Sequence, residues 1–600
     1  MTPGPHRRNR VTQAVLNELA PYPGRTAGSL RDVLSVSLAL ILAMTLRVPG
    51  VDLTLAFLFL LQFERPGLSL REAFEILLSM AFSCAVVLLW VQVTDGSAAA
   101  RFVGIVLVIF VATFGMASTR IPVFCTICGL FGFVDLALWD AHMSSSAIVT
   151  ASLYYIASTG LVVVCGMAVQ SLFVTRRRTD DLVLEMRTHL AALARFLHRM
   201  GEEYSPGAVA DLQSLHTALL RYVQANFGTI ESYDRILDRA SGPSEIPVGT
   251  LYRIGLLNRI IEKATFLKII SRRDRRPEHA EIFRSLAHIC DRLLNGQTDI
   301  PPEPLPEKAP VLLREMHTEL RQYAGSLARN RDPENIHISG SSWPSFNLFL
   351  PGAFKSSNAA FYALKLTLAA TICYVLYNAI AWPGISTCVI TVLFTGLSTT
   401  GAMKQRQLFR IGGAAIGGVL GVLTVSLLFP NMDSITTLIL VVAPVAFLSS
   451  WVLRSASMGY VGLQIELGFC LTALPGFSAT SLINPARDRV IGVALGIFVM
   501  WFVFDRLWPV RTSAALGDIL RSIQEALTDT RKLRQEPDET KHRLALNRLR
   551  SSVSLELSKL QSLESAVYFD VGPHHRLELR RCRKLIRQVE AIAERFYLEI

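Results

Sequence analysis

Long apolar stretches alternate with amphipathic stretches along this chain, and the alternation predicts its elements. Twelve apolar segments fall into two groups, one in residues 29–175 and one in residues 358–510. After each group, apolar residues recur at helical spacing among charged ones, as at Leu190, Leu193 and Leu197. Apolar segments of about 20 residues predict helices that cross a bilayer, whereas amphipathic periodicity predicts helices with one buried face. The pattern therefore predicts an all-α polytopic membrane protein.

Five regions are expected in order: an N-terminal segment, a six-helix transmembrane unit, a helical domain, a second six-helix unit and a C-terminal helical domain. Their predicted bounds are 1–28, 29–175, 176–357, 358–510 and 511–600. The predicted spans of the first unit are Leu30–Val48, Val51–Phe63, Ala73–Thr94, Phe102–Ala117, Ile121–Trp139 and Ala147–Val174. Those of the second unit are 358–380, 385–400, 409–429, 434–453, 457–474 and 488–508.

The two transmembrane units share features at one constant offset. Four pairs are each separated by 334 residues: Arg31 and Lys365, Pro49-Gly50 and Pro383-Gly384, Arg120 and Arg454, Arg177 and Arg511. Four matches at one offset, within matching hydropathy, predict an internal repeat. Because each unit has an even number of spans, both enter the membrane from the same side, so the repeat is predicted to be parallel.

Composition and charge agree with a membrane protein. The chain is 51% hydrophobic and 18% charged, whereas soluble proteins average about 25% charged residues. The net charge of +12 fits basic cytoplasmic loops and contact with anionic lipid. No nucleic-acid-binding motif accompanies it, so nucleic acid is not expected as a partner. The nine cysteines form no disulfide or metal framework, since Cys125 and Cys128 lie inside a predicted span.

The distribution of Lys and Arg predicts the orientation. With both termini inside, the short cytoplasmic turns hold Arg65, Arg71, Arg120, Lys404, Arg406, Arg410 and Arg454, and the periplasmic turns hold Arg47, Arg101, Arg487 and Arg489. The long segments that border the spans add further cations to the inside. The positive-inside rule therefore places both termini and both helical domains in the cytoplasm.

Two stretches carry a family resemblance. Residues 18–25 (ELAPYPGR), leading into the first span, and Asp505-Arg506-Leu507-Trp508-Pro509, closing the second unit, resemble the fusaric acid resistance family of bacterial inner-membrane proteins. The first stretch is similar to the Mdt-type multidrug-resistance group within that family. The resemblance implies an inner-membrane efflux subunit that works with a periplasmic adaptor and an outer-membrane channel. It also implies aromatic carboxylic acids or assorted drugs as substrates, and it leaves a homo-oligomer open.

Motifs for chemistry are absent from the sequence. The glycine-rich run Gly412–Gly421 lacks the Lys-Ser/Thr ending of a phosphate-binding loop. The spacing of Gly413, Gly417 and Gly421 instead predicts close helix packing. No catalytic triad or metal-ligand cluster stands out, so the chain is expected to be non-enzymatic and to need no cofactor. Uphill transport would then need an ion gradient.

Ionisable residues within predicted spans are the candidate site, because a charge in lipid is costly. Glu466 and Asp135 lie in equivalent spans, and Gln464 is grouped with them as a transport or proton-coupling candidate. The other interpretation is that these groups only bond neighbouring helices. Four cations are expected at the cytoplasmic mouth, as membrane anchors or site residues: Arg31, Lys365, Arg120 and Arg454.

The sequence as a whole favours a proton-driven or gradient-driven exporter subunit for small aromatic or amphipathic compounds. Two alternatives remain open at this point. One is a passive, channel-like anion pore in which the carboxylates are structural, and the other is a membrane scaffold that transports nothing. The sequence does not identify the substrate.

Overall fold

The structure is a computed structural model, and its described secondary structure is helical apart from one isolated β-bridge between Thr119 and Phe349. Described continuously are residues 25–50, 70–94, 97–119, 121–140, 143–173, 178–205, 250–273, 278–300, 309–329, 357–396, 399–432, 434–455, 458–474, 484–507, 511–533 and 575–599, with single positions near 15–19, 54–59, 348–349, 476 and 549–569. The second predicted span, Val51–Phe63, lies largely outside the described residues.

The described helices are numbered in chain order. Up to residue 329 they are α1 (Arg25–Leu46), α2 (Leu70–Val93), α3 (Ala98–Ser118), α4 (Pro122–Leu138), α5 (Ser145–Leu172), α6 (Arg178–Glu203), α7 (Thr250–Arg273), α8 (Glu278–Leu294) and α9 (Val311–Arg329). From residue 357 they are α10 (Ser357–Ala379), α11 (Thr387–Thr395), α12 (Thr400–Leu423), α13 (Ile435–Leu453), α14 (Gly459–Ala473), α15 (Asn484–Trp501), α16 (Thr512–Leu533) and α17 (His575–Glu599). A π-helical turn extends α12 over Thr424–Leu428, and another extends α15 over Phe502–Leu507.

The chain forms two compact units. The first, here called the membrane unit, comprises residues 1–173, 343–515 and 562–582, and the second comprises residues 174–342, 516–561 and 583–600. In the second unit α6 packs against α8, and α7 packs against α9. The apolar face of α8 is buried there, through residues such as Phe283, Leu286 and Cys290.

The surface of the membrane unit is apolar. Every large hydrophobic side chain that is exposed among the described residues belongs to this unit, and none belongs to the second unit. On α2 the exposed residues recur at helical spacing, as in Phe74, Leu78 and Phe82. An apolar exterior over helices whose backbone groups are internally bonded is what a lipid environment requires. Eight described helical segments, including Arg25–Leu46 and Ile435–Leu453, are long and apolar enough to cross a bilayer, and the prediction of an all-α polytopic membrane protein is confirmed.

The first helices of the two transmembrane halves end in the same way. Arg47 and Ala381 have positive φ angles, of 53° and 50°, and among the described residues no other non-glycine residue does. The backbone N–H of the next residue then bonds five residues back, from Val48 to Ala43 and from Trp382 to Tyr377, at 3.0 Å in both cases. This is the Schellman arrangement, which satisfies a helix carbonyl that would otherwise lack a partner.

Helix packing within the membrane unit is reciprocal between the halves. The first helix of the first half, α1, packs against α13 of the second half. Conversely, the first helix of the second half, α10, packs against α3 of the first half. Within a half, α2 packs on α4 and α12 packs on α14. Each first helix therefore connects the two halves.

The predicted spans differ from the helices most clearly at one place. The span predicted at 385–400 is shorter in the structure, a 3-10 turn at Pro383–Ile385 followed by α11. The next helix, α12, begins at Thr400 rather than at 409, because the Thr399 side chain accepts a hydrogen bond from the Ala402 N–H and caps the helix. Arg410, predicted in a cytoplasmic turn, consequently lies inside α12, where it is 2% exposed.

Candidate functional site

Helix α14 is the most deeply enclosed helix around the predicted site, and glycines make this possible. A Cβ placed on Gly413 of α12 would lie 2.5 Å from the Cβ of Gln464, and one on Gly421 would lie 2.7 Å from the Cβ of Thr472. A Cβ on Gly417 would overlap the backbone carbonyl of Ile465. The glycine spacing thus serves close packing of α12 on α14, as predicted from the sequence.

Two predicted site residues occupy different faces of α14. Gln464 and Glu466 are two positions apart, which is about 200° around a helix. The Gln464 side chain faces α12 and accepts a hydrogen bond from Arg410. The Glu466 side chain faces α13, where Ser449 lies near its carboxyl group. The structure therefore places the two residues in separate polar environments.

The Glu466 carboxyl group is completely buried. Its Oε1 accepts a hydrogen bond from the Cys470 thiol at 3.5 Å, one turn further along the same helix. Its Oε2 has no hydrogen-bond partner among the described residues, and neither has the Ser449 hydroxyl. No cation lies within 4.0 Å of this carboxyl group in the described part of the chain. A buried, incompletely bonded carboxyl group is costly to leave charged.

An ion pair lies between α1 and α13, close to Glu466. Asp32 is 2% exposed, and its Oδ2 accepts hydrogen bonds from Ser450 Oγ and from Arg454 Nη1, both at 2.5 Å. Nearby, the buried Arg25 donates to the backbone carbonyl of Trp451 and stacks on its ring, with 4.7 Å between Cζ and the ring centroid. The first helix of one half is thus joined to the other half through two cations and one carboxylate.

Arg410 forms the polar environment on the other side of α14. Its Nε donates to Thr391 Oγ1 at 3.1 Å, and its Nη1 donates to Gln464 Oε1 at 2.9 Å and to Tyr460 Oη at 3.4 Å. The guanidinium also lies over the ring of Phe394, 5.8 Å from its centroid. Every one of these partners is neutral.

Asp135 lies in a different group of helices from Glu466. It is buried on α4, and its Oδ1 has no hydrogen-bond partner among the described residues. Its polar neighbours are Cys84 of α2 and Ser152 of α5. The 334-residue offset pairs Asp135 with Phe469 and Glu466 with Gly132. The two carboxylates are therefore not equivalent by that offset, although they lie on equivalent helices.

The four predicted mouth cations have different surroundings. Arg31 is exposed and lies over the ring of Phe173, 5.4 Å from its centroid. Lys365 is 8% exposed, which is more buried than a surface anchor would be. Arg454 pairs with Asp32, as described above. Arg120 lies outside the described residues.

A second polar contact joins α10 to the other half, near the end of α4. Arg101 of α3 forms an ion pair with Asp140 at 3.0 Å, and Tyr374 of α10 donates to the other oxygen of Asp140 at 2.7 Å. Tyr374 also contacts the ring of Tyr377 edge-on, with 5.4 Å between centroids. Asp32 is near the start of α1 whereas Tyr374 is near the end of α10, so the two cross-half contacts involve opposite ends of equivalent helices.

Sequence reasoning missed Asp32, Arg25 and Arg410. Asp32 lies within the predicted span Leu30–Val48 and carried the same signal as Glu466, a carboxylate in an apolar segment. Beside Arg31, however, it resembles the polar start of a helix when the sequence is considered alone. Arg410 was obscured by the polar run Lys404–Gln407, which made the start of α12 look like a loop.

Comparisons with known proteins agree with the resemblance drawn from the sequence. Residues 271–555 match the sequence model of the fusaric acid resistance protein family. The multidrug resistance protein MdtO of Escherichia coli K12 and that of Shigella flexneri are each 30% identical to this chain over 190 residues. The aligned segment covers 31% of this chain and 28% of either relative. No solved structure matches the chain. The chain is therefore a multi-pass membrane protein whose residues 271–555 are similar to the fusaric acid resistance protein family.

Proposed function

We propose that this protein is an efflux transporter subunit of the bacterial inner membrane, driven by the proton gradient. The observation that carries the proposal is the Glu466 carboxyl group, buried completely among helices of the membrane unit, with one oxygen that has no partner among the described residues. A titratable group in this position is a functional candidate by default, because burying it has a free-energy cost that packing alone does not require. The match to the multidrug resistance protein MdtO supports the export of small molecules.

Proton coupling would follow from the surroundings of Glu466. With the carboxyl group enclosed, the charged form is disfavoured, and exposure of the group to water would favour it. The Asp32–Arg454 ion pair lies beside Glu466 and joins two helices of different halves. A change in the packing of α1 against α13 would therefore alter the charge environment and water access of Glu466. Proton uptake and release can be linked to alternate exposure of a substrate site in this way.

The test is export by purified protein in proteoliposomes, with an imposed pH gradient. Glu466→Gln keeps the shape of the side chain and removes its titration. We expect normal insertion with loss of gradient-driven export of an aromatic or amphipathic test compound, and a smaller loss for Asp135→Asn. Export by Glu466→Gln at the parental rate at acidic, neutral and mildly alkaline pH would refute proton coupling at this residue.

Collapsing the gradient separates the proposal from a passive pore. Net accumulation against a concentration difference should stop when a protonophore is added, whereas downhill flux through a pore would continue. A membrane scaffold predicts no flux under either condition. The resemblance to a family of efflux subunits further suggests a periplasmic adaptor and an outer-membrane channel as partners, which co-purification from intact envelopes would test.

We infer that the two halves of the membrane unit are parallel repeats, with both termini and the second compact unit in the cytoplasm. Support comes from the 334-residue offset between the two Schellman ends, Arg47 and Ala381. The reciprocal packing of α1 on α13 and of α10 on α3 also fits two copies related by a twofold axis. The orientation rests on the Lys and Arg distribution.

A further inference from the structure

We propose that Arg410 is the binding residue for the carboxylate of an organic anion. This inference rests on the proposed export function and names the chemical group by which the substrate is recognised. It concerns residues on the face of α14 opposite to Glu466.

Arg410 is a buried cation with no counter-ion. It is 2% exposed, and no carboxylate oxygen lies within 4.0 Å of it among the described residues, although its helix neighbour Lys404 has such a partner in Asp505. Guanidinium groups stay charged in proteins, so the charge of Arg410 is offset only by neutral dipoles. A buried charge is normally paired, and this one is left to pair with something that is not part of the described chain.

The hydrogen-bond donors around Arg410 also exceed the acceptors. The Nη2 of Arg410 makes no hydrogen bond with any described residue. Because a guanidinium only donates, the oxygen of Gln464 must face it, which leaves the amide nitrogen of Gln464 as a buried donor without a partner. The amide nitrogen of Gln407, one turn before Arg410 on α12, is likewise buried without a partner.

Unused buried donors beside an unpaired cation indicate a ligand that supplies acceptors and negative charge. A carboxylate meets both needs, since its two oxygens accept several hydrogen bonds and match the fork of a guanidinium. The phosphate group of a lipid or free inorganic phosphate shares this chemistry. The rings of Phe394 and Tyr460 lie against Arg410 and Arg406, the second pair with 4.7 Å between Cζ and the ring centroid, so the ligand is recognised here by its charge.

The experiment measures binding without any gradient, on protein in nanodiscs made of phosphatidylcholine, with radiolabelled benzoate as the probe. Unlabelled benzoate should compete, whereas benzamide, which has the same ring and no charge, should compete at least about tenfold more weakly. Equal competition by benzamide would overturn the assignment of an anion site, and equal competition by inorganic phosphate or by added phosphatidylglycerol would overturn the carboxylate as the ligand group.

Two variants test the residues. Arg410→Gln should weaken benzoate binding at least about tenfold. Gln464→Glu places a carboxylate of the protein itself against Arg410, so it should abolish benzoate binding while the apparent melting temperature stays equal or rises. This second variant keeps the proposal testable if Arg410→Gln folds poorly. Arg487→Gln is the matched control, because it removes a cation that is 55% exposed and pairs with Asp488 elsewhere in the unit, and its affinity should be parental.

Parental affinity in Gln464→Glu, or a loss of affinity in Arg487→Gln as large as that in Arg410→Gln, would overturn the proposal. Failure of this site is distinguishable from failure of proton coupling. Benzoate binding in the absence of a gradient reports on Arg410 alone, whereas the pH dependence of export reports on Glu466.

Discussion

Gly417 and Gly418 are adjacent on α12, but only Gly417 lies in close contact with another helix. The pair shows that packing can depend on a single position. A Cβ on Gly417 would meet the backbone carbonyl of Ile465, which cannot rotate away, whereas a Cβ on Gly418 would meet nothing within 4 Å. We expect Gly417→Ala to destabilise the protein by about 1–3 kcal/mol through overpacking. Gly418→Ala should be neutral or stabilising by up to about 1 kcal/mol through helix propensity.

The apparent melting temperature of detergent-solubilised protein measures both changes. Because the substitution is the same and the positions adjoin, any general effect of alanine on α12 is shared by the two variants. Equal melting temperatures for Gly417→Ala and Gly418→Ala would contradict the close packing of α12 on α14.

At the scale of elements, the ion pair between α1 and α13 contains one carboxylate, Asp32. Asp32→Asn removes this carboxylate and places a neutral amide beside Arg454. Breaking a buried pair costs about 3–5 kcal/mol, but the Arg454 side chain is 23% exposed, so solvent screening should reduce the loss to about 1–3 kcal/mol. The double variant Asp32→Asn with Arg454→Gln should recover part of the stability, because the cation that faces the amide is removed as well.

A thermal double-variant cycle measures this coupling. The half-exposed pair of Arg487 with Asp488 is the control, and its disruption by Arg487→Gln should cost less than about 1 kcal/mol. Suppose that Asp32→Asn and Arg454→Gln each lower the stability no more than Arg487→Gln does, and that the two losses add in the double variant. The ion pair then does not hold α1 to α13.

At the scale of the whole molecule, the orientation can be tested by thiol labelling, but not with the native cysteines Cys290 and Cys582. Cys290 and Cys582 are fully buried, and burial raises the pKa of the Cys290 thiol, which keeps it in the unreactive protonated form. A reagent would thus miss both from either side of the membrane. Introduced cysteines at exposed positions are needed instead, and Lys532 and Arg487 have side chains that are 77% and 55% exposed.

In intact spheroplasts, we expect a membrane-impermeant maleimide to label Arg487→Cys and to leave Lys532→Cys unlabelled. After permeabilisation both should react, which controls for accessibility. Labelling of Lys532→Cys in intact spheroplasts, with Arg487→Cys protected, would reverse the proposed orientation.

The sequence by itself determined the class of fold and most of the helix ends. A helix in lipid must satisfy its own backbone groups and cover about 30 Å with apolar side chains, and both requirements are local. Glu466, Asp135 and Gln464 could be found in the same way, because a polar residue in an apolar segment stands out without any knowledge of its neighbours. The start of α12 could not be placed, since Lys404 is stabilised by Asp505 and Arg406 by Tyr460, partners that are distant in sequence.

Only the tertiary structure decided which helix faces which, and so what each polar residue does. The partner of Asp32 is Arg454, more than 400 residues away, and nothing in the spacing around either residue indicates the other. The same holds for Arg410, which looks like a loop cation in the sequence and becomes a buried one because α11 and α14 enclose it. Local patterns fix periodicity and polarity, whereas pairing across the membrane unit depends on packing that brings distant segments together, and that is where its candidate site is formed.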